Sequence, residues 1–280
     1  MNLSKLASAV VWLAIAFAAG PQLVAQGGRG QGRGGPPPSP RAGAPVDLTG
    51  YWVSVVTEDW RFRMVTPPKG DFASVPLNAE GRRVGDTWDP SKDGSCEAYG
   101  AAALMRMPGR LHITWEDDNT LKIETDAGQQ TRLLHFGAPR PPNGDRTLQG
   151  YSAAEWGRVA GPAGGGFGGN VAAPGVGAPA AAPGAPVPGR GQGGPQRWAP
   201  LKVVTTGLRP GWLRRNGAPY SENTTLTETF IRFSDENDEW FTVVTTVEDP
   251  TYLNQSFITS TNFKREADAA KWKPAPCKAN

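Results

Sequence analysis

The chain has 280 residues, 29 basic against 26 acidic, for a formal charge of +3 at pH 7. Residues 27–45 hold 12 Gly or Pro in 19 positions, and residues 157–196 hold 30 Gly, Pro or Ala in 40, with two charges. The globular remainder, 46–156 and 197–280, suits one domain and excludes a channel, a coiled coil or a long multidomain enzyme.

The net charge misleads. Lys5, Arg29, Arg33, Arg41, Arg158 and Arg190 lie outside the globular part, in stretches that hold no acid, so the remainder has 23 basic against 26 acidic residues. A nucleic-acid binder concentrates basic residues on its folded surface, so no nucleic-acid partner is expected. The Gly-Arg run Gly27–Gly35 reads as a spacer.

Lys5 precedes an eleven-residue apolar run, Ala9–Ala19. The run is too short to span a bilayer and fits the core of a secretory signal over 1–25. Residues 26–45 then read as a disordered linker, and 46–280 as one barrel domain interrupted by a disordered loop at 157–196. The expected location is periplasmic or secreted, with no integral membrane span. In an oxidising compartment the two cysteines, Cys96 and Cys277, are expected to form a disulfide.

Tyr51–Val56 reads as a strand. Trp60, Phe62 and Met64 alternate with Arg61 and Arg63, which extends it as a second half beyond a bend at 57–59. Leu77, Val84 and Trp88 suggest a short helix within Pro76–Trp88, and the Ala-rich Cys96–Met107 a second. Arg110–Phe136 holds three strands separated by turn compositions at 117–119 and 127–129. Three-residue loops place Trp115 opposite Leu121, Ile113 opposite Ile123, and Ile123 opposite Leu133. They also align His112, Glu124 and Arg132 in one polar row, and set His112 and His135 on opposite faces. A two-residue second loop would put Ile123 against Arg132; the alternation favours the three-residue register. Leu201–Thr206, Thr224–Phe233, Trp240–Glu248 and Gln255–Phe263 are further strands. The fold class is all-β: an antiparallel barrel of about 8–9 strands with one or two short helices. Closure removes the exposed edges.

Several segments resemble a large family of exported bacterial proteins known chiefly as hypothetical proteins. They are Asp47–Trp52 (DLTGYW), Gly211–Glu222 (GWLRRNGAPYSE), Glu228, Val247-Glu248-Asp249-Pro250, and the placement of Cys96 and Cys277. The resemblance implies a lipocalin-like barrel and brings no assigned reaction. Many members carry His where this chain has Tyr220.

Three functions follow as expectations. The first is binding of a small, partly apolar molecule in the barrel interior, with Trp115, Leu121, His135, Tyr220 and Glu228 as ligand-binding candidates. The second is an enzyme using His112, Glu124 and Arg132 for acid/base work on a carboxylated or carbonyl substrate. The third is an envelope-associated protein without ligand. An inward row favours chemistry. An outward row is a solvated ion-pair ladder worth about 0–1 kcal/mol. Two histidines on opposite faces cannot share a metal, so no metal is expected, and no phosphate or dinucleotide fingerprint implies a cofactor. The sequence names neither ligand nor oligomeric state.

Overall fold

A computed structural model describes residues 37–138, 140, 144–157 and 199–279. The expected signal, the first part of the linker and nearly all of the 157–196 loop lie outside the described residues.

In chain order the strands are β1 (Gly50–Val55), β2 (Arg110–Trp115), β3 (Thr120–Thr125), β4 (Ala127–Gly128), β5 (Thr131–Phe136), β6 (Tyr151–Trp156) and β7 (Leu201–Thr206). There follow β8 (Gly211–Trp212), β9 (Pro219–Tyr220), β10 (Thr225–Asp235), β11 (Asp238–Glu248), β12 (Phe257–Arg265) and β13 (Ala275–Pro276). The helices are α1 (Trp60–Arg63), α2 (Ala79–Gly85) and α3 (Ala101–Leu104), with 3-10 turns at Pro90–Lys92, Cys96–Tyr99 and Ala269–Lys271.

Nine strands close into a barrel in the order β1-β12-β11-β10-β7-β6-β5-β3-β2. The all-β barrel expectation holds, but the sheet is mixed. A closed ring that alternates direction at every step needs an even number of strands. With nine, one step must be parallel, and it falls between β5 and β6. The link from Gly137 to Gly150 carries the chain back to the end where β5 began. The other eight pairings are antiparallel.

The first half of the expected bent strand is β1. The second half is helical: Asp59 takes a left-handed conformation (φ 52°), and the chain then turns through α1. The alternation of aromatics with arginines there reflects something other than a pleated face. Trp60 and Met64 stay exposed, while Arg63 is buried with its guanidinium on Glu58. The expected short helix is α2, capped by the Asn78 side chain, which accepts from the Gly81 N–H.

The first hairpin has the expected three-residue loop, with Trp115 opposite Leu121, Ile113 opposite Ile123 and His112 opposite Glu124. The second does not. Ile123 lies opposite Arg132 and Glu124 opposite Thr131, so the loop is four residues, 126–129. Gly128 and Gln129 both take positive φ there, 77° and 51°. A Cβ on Gly128 would sit 2.2 Å from the Tyr99 ring. The extra residue lets Ala127 and Gly128 pair in parallel with Ala275 and Pro276 of the C-terminal tail. The Cys96–Cys277 disulfide fastens that same tail.

The barrel is filled. Trp52, Ile113, Ile123, Leu134, Leu201, Val203, Phe230, Phe241, Val243 and Phe263 form one buried cluster along its axis. Phe241 meets Trp52 edge-on at 4.8 Å and stacks on Phe263 at 4.8 Å. Each such side chain contributes about 1.5–3 kcal/mol of burial. One end is covered by Val46, Trp115 and Trp156. There the Trp156 indole N–H donates to the Pro40 carbonyl, and the Arg41 N–H to the Asp118 carbonyl. Residues 38–45, expected in the linker, are therefore seated on the barrel. At the other end a second cluster forms a cap from Phe72, Val75, Leu77, α3, Leu208, Leu213, Tyr220 and Leu253.

Candidate functional site

One buried carboxylate ties the cap to the end of β11. Asp249, buried at the end of β11, accepts from the Ser221 N–H at 2.5 Å, the Ser221 hydroxyl at 2.9 Å, the Thr224 hydroxyl at 2.9 Å and the Thr251 N–H at 2.8 Å. These bonds fix the chain just after the β8–β9 hairpin, and with it Tyr220. The Tyr220 ring is fully buried. Its hydroxyl fits because two neighbours are glycines: a Cβ on Gly100 would stand 2.0 Å from it, and one on Gly211 2.6 Å. Burial pushes the Tyr220 phenol far above its ordinary range, so it stays neutral.

Beside this hairpin opens a cleft of about 470 Å³. Trp88 and Trp212 form its aromatic walls, with rings 6.4 Å apart and nearly perpendicular, 88°. Gly217, at φ 81°, sets the Trp88 position, since a Cβ there would lie 2.4 Å from the Trp88 Cβ. Val84, Pro210, Pro219, Tyr220 and Tyr252 add to the apolar lining, and Asp89, Lys92 and Glu97 supply charge. The Ser91 backbone N–H donates to Asp89 and holds that carboxyl below its usual range. Trp88 Nε1 and Tyr220 Oη are buried and have no hydrogen-bond partner among the described residues.

Other expected site residues lie apart from this cleft. His112 and Glu124 do pair, with Nδ1 and Oε2 3.4 Å apart. They do so on the outer face of the barrel, where His112 stacks on Tyr51 at 4.2 Å. Arg132 is not in their row. The one-residue shift of β5 turns it inward and leaves Leu133 outside. The same shift turns His135 outward, where it stacks on Tyr151 at 4.7 Å. The two histidines therefore share the outer face instead of lying on opposite ones. Leu121 is packed in the barrel core, and Trp115 packs on Phe136 at its end.

Arg132 meets a different partner. Inside the barrel its Nη2 lies 2.5 Å from Glu228 Oε2 and 2.8 Å from Thr205 Oγ1, and its Nε donates to Ser152 Oγ at 3.1 Å. Both charged side chains are wholly buried. Arg132 and Glu228 were expected in different roles, and the fold joins them. Thr205 carried no sequence signal beyond strand alternation, and Ser152 lies on β6, a strand the sequence did not reveal.

Among the described residues, no group of three or more His, Cys, Asp or Glu could hold a metal ion. No helix among them is long and apolar enough to cross a membrane. No family model, curated protein or solved structure matches the chain.

Proposed function

We propose that this protein is an exported binding protein for a small, partly apolar molecule, held in the Trp88–Trp212 cleft and not in the barrel lumen. One observation carries the reading: two perpendicular indoles wall a cleft of about 470 Å³ beside charged groups. That volume falls in the usual range for small-molecule sites, about 300–1,000 Å³, as does the mixture of aromatic walls with a few polar groups. The packed barrel leaves the cap as the place for a ligand. Export is supported by the charged start and apolar run at 1–25, and by the disulfide, which suits an oxidising compartment such as the periplasm.

Native mass spectrometry tests this on protein purified from its own source. The expected result is a native mass exceeding the denatured mass by one small molecule, with the excess lost in Trp212→Ala. An excess that persists in Trp212→Ala places the ligand elsewhere. No excess in the wild-type protein counts against the binding reading.

A further inference from the structure

A different part of the cap gathers arginines. Arg63 and Arg106 follow β1 and α3, and Arg214 and Arg215 sit in the β8–β9 loop. Arg63, Arg106 and Arg214 are each at most 6% exposed. Their mutual contacts are direct: Arg63 Nε donates to the Arg106 carbonyl at 2.9 Å, and Arg215 Nη2 donates to the Arg63 carbonyl at 3.1 Å. Arg61 and Arg214 both lie over the Phe62 ring, at 4.5 and 4.1 Å.

The carboxylates that meet these cations are fewer. Glu58 pairs with Arg63, Asp59 with Arg106, and Asp71 with Arg61. Arg214 finds a backbone carbonyl, that of Ala73. Four buried guanidinium nitrogens have no acceptor among the described residues: Arg63 Nη2, Arg106 Nη1, Arg214 Nε and Arg214 Nη2. A buried donor without an acceptor costs about 1–3 kcal/mol, and more when it is charged. A buried charge needs a counter-charge.

Space exists beside them. A small void of about 20 Å³ is lined by all four arginines and Phe62. An adjoining pocket of about 140 Å³ shares Arg63, Met107 and Arg215 with it. The void takes a group the size of one water or one oxygen, and the pocket takes the body that carries it.

We propose that this cluster is an oxyanion-binding site, accepting a phosphate or carboxylate group between Arg63, Arg106 and Arg214. An oxyanion supplies both missing properties, acceptor lone pairs and negative charge, and guanidinium forks match its geometry. The site shares no lining residue with the Trp88–Trp212 cleft and stands or falls apart from it. Burial and then the Arg106 charge lower both the Arg63 and the Arg214 guanidinium, the latter to about 10.

The test is calorimetric titration of the intact, disulfide-bonded protein with inorganic phosphate and with acetate, at ionic strength fixed by sodium chloride. Saturable binding of one anion per chain is expected, weakened about tenfold in Arg214→Gln, the effect of losing one charge-assisted contact. Far-UV circular dichroism checks that the variant folds. If it does not, Arg215→Gln, on a half-buried residue, takes its place with a smaller loss. Independently, crystals of the wild-type protein soaked in sodium selenate should show the anion beside Arg106 Nη1 and Arg214 Nη2. Absence of saturable binding, an affinity unchanged in the folded variants, or a selenate bound elsewhere overturns the proposal.

Discussion

Glu228 and Arg132 stand 96 residues apart in the chain and 2.5 Å apart inside the barrel, both sealed from solvent. The pair is surrounded by hydroxyls from Ser152 and Thr205, themselves 2.8 Å apart. One nitrogen, Arg132 Nη1, and one oxygen, Glu228 Oε1, remain without a partner among the described residues. Desolvation of two charges therefore offsets much of their attraction.

That balance makes the pair a test of register. Removing one partner leaves a lone buried charge, so Arg132→Met is expected to destabilise by about 3–5 kcal/mol. Adding Glu228→Leu to it should restore most of the loss, because an apolar pair of similar volume lacks the desolvation penalty. Urea denaturation of the wild type, both single variants and the double variant measures this. Additive losses would show that the two side chains act separately.

Asp249 holds the Tyr220 segment through three donors, on Ser221 and Thr224, and its own turn through two more, the Thr251 and Tyr252 N–H groups. Asp249→Ala leaves buried donors unpaired, and a loss of about 2–4 kcal/mol is expected. Hydrogen exchange should rise first at Ser221 and Thr251. Uniform exchange across the barrel would mean that the carboxylate supports the whole fold and not the cap.

The Cys96–Cys277 bond closes a loop of 181 residues. In the chain-entropy account its loss lowers stability by about 4–5 kcal/mol at most. The Cys96→Ala/Cys277→Ala protein is expected to unfold at lower urea than the wild type, and dithiothreitol should leave its midpoint unmoved. The β4–β13 pairing should loosen before the barrel does. Equal midpoints for the two proteins would mean that the tail holds without the bond.

His135 supplies a pH dependence. Burial against Tyr151 lowers its imidazole from 6.5, and Asp117 opposes that only in part. The unfolded chain therefore takes up the proton first. The neutral-His contribution is fully present above pH 6.5 and is lost as pH falls from there to the lower folded value. A proton NMR titration should place the His135 midpoint below 6.5, and His135→Gln should flatten the stability profile in that window. A midpoint at or above 6.5 would mean that the ring is not desolvated.

The sequence alone determined what short-range patterns can carry. Alternation placed Ile113 and Ile123 inside and fixed the first hairpin, because a slip there would bury His112 and Glu124. It marked most barrel strands, the α2 helix and the cysteine pair. It could not fix β5. Thr131–Phe136 holds adjacent leucines, so either register buries one of them, and local hydrophobicity is nearly degenerate. Tertiary structure decided. The inward register gains Phe136 for the core and gives Arg132 a carboxylate from β10, while the four-residue loop pairs with the C-terminal tail. The parallel step and β6 were equally hidden, since an odd strand count shows itself only when the ring closes. The arginine cluster and the Trp88–Trp212 cleft unite segments more than 100 residues apart. Only the packed cap brings their side chains together, because burial against distant segments, not spacing along the chain, sets those contacts.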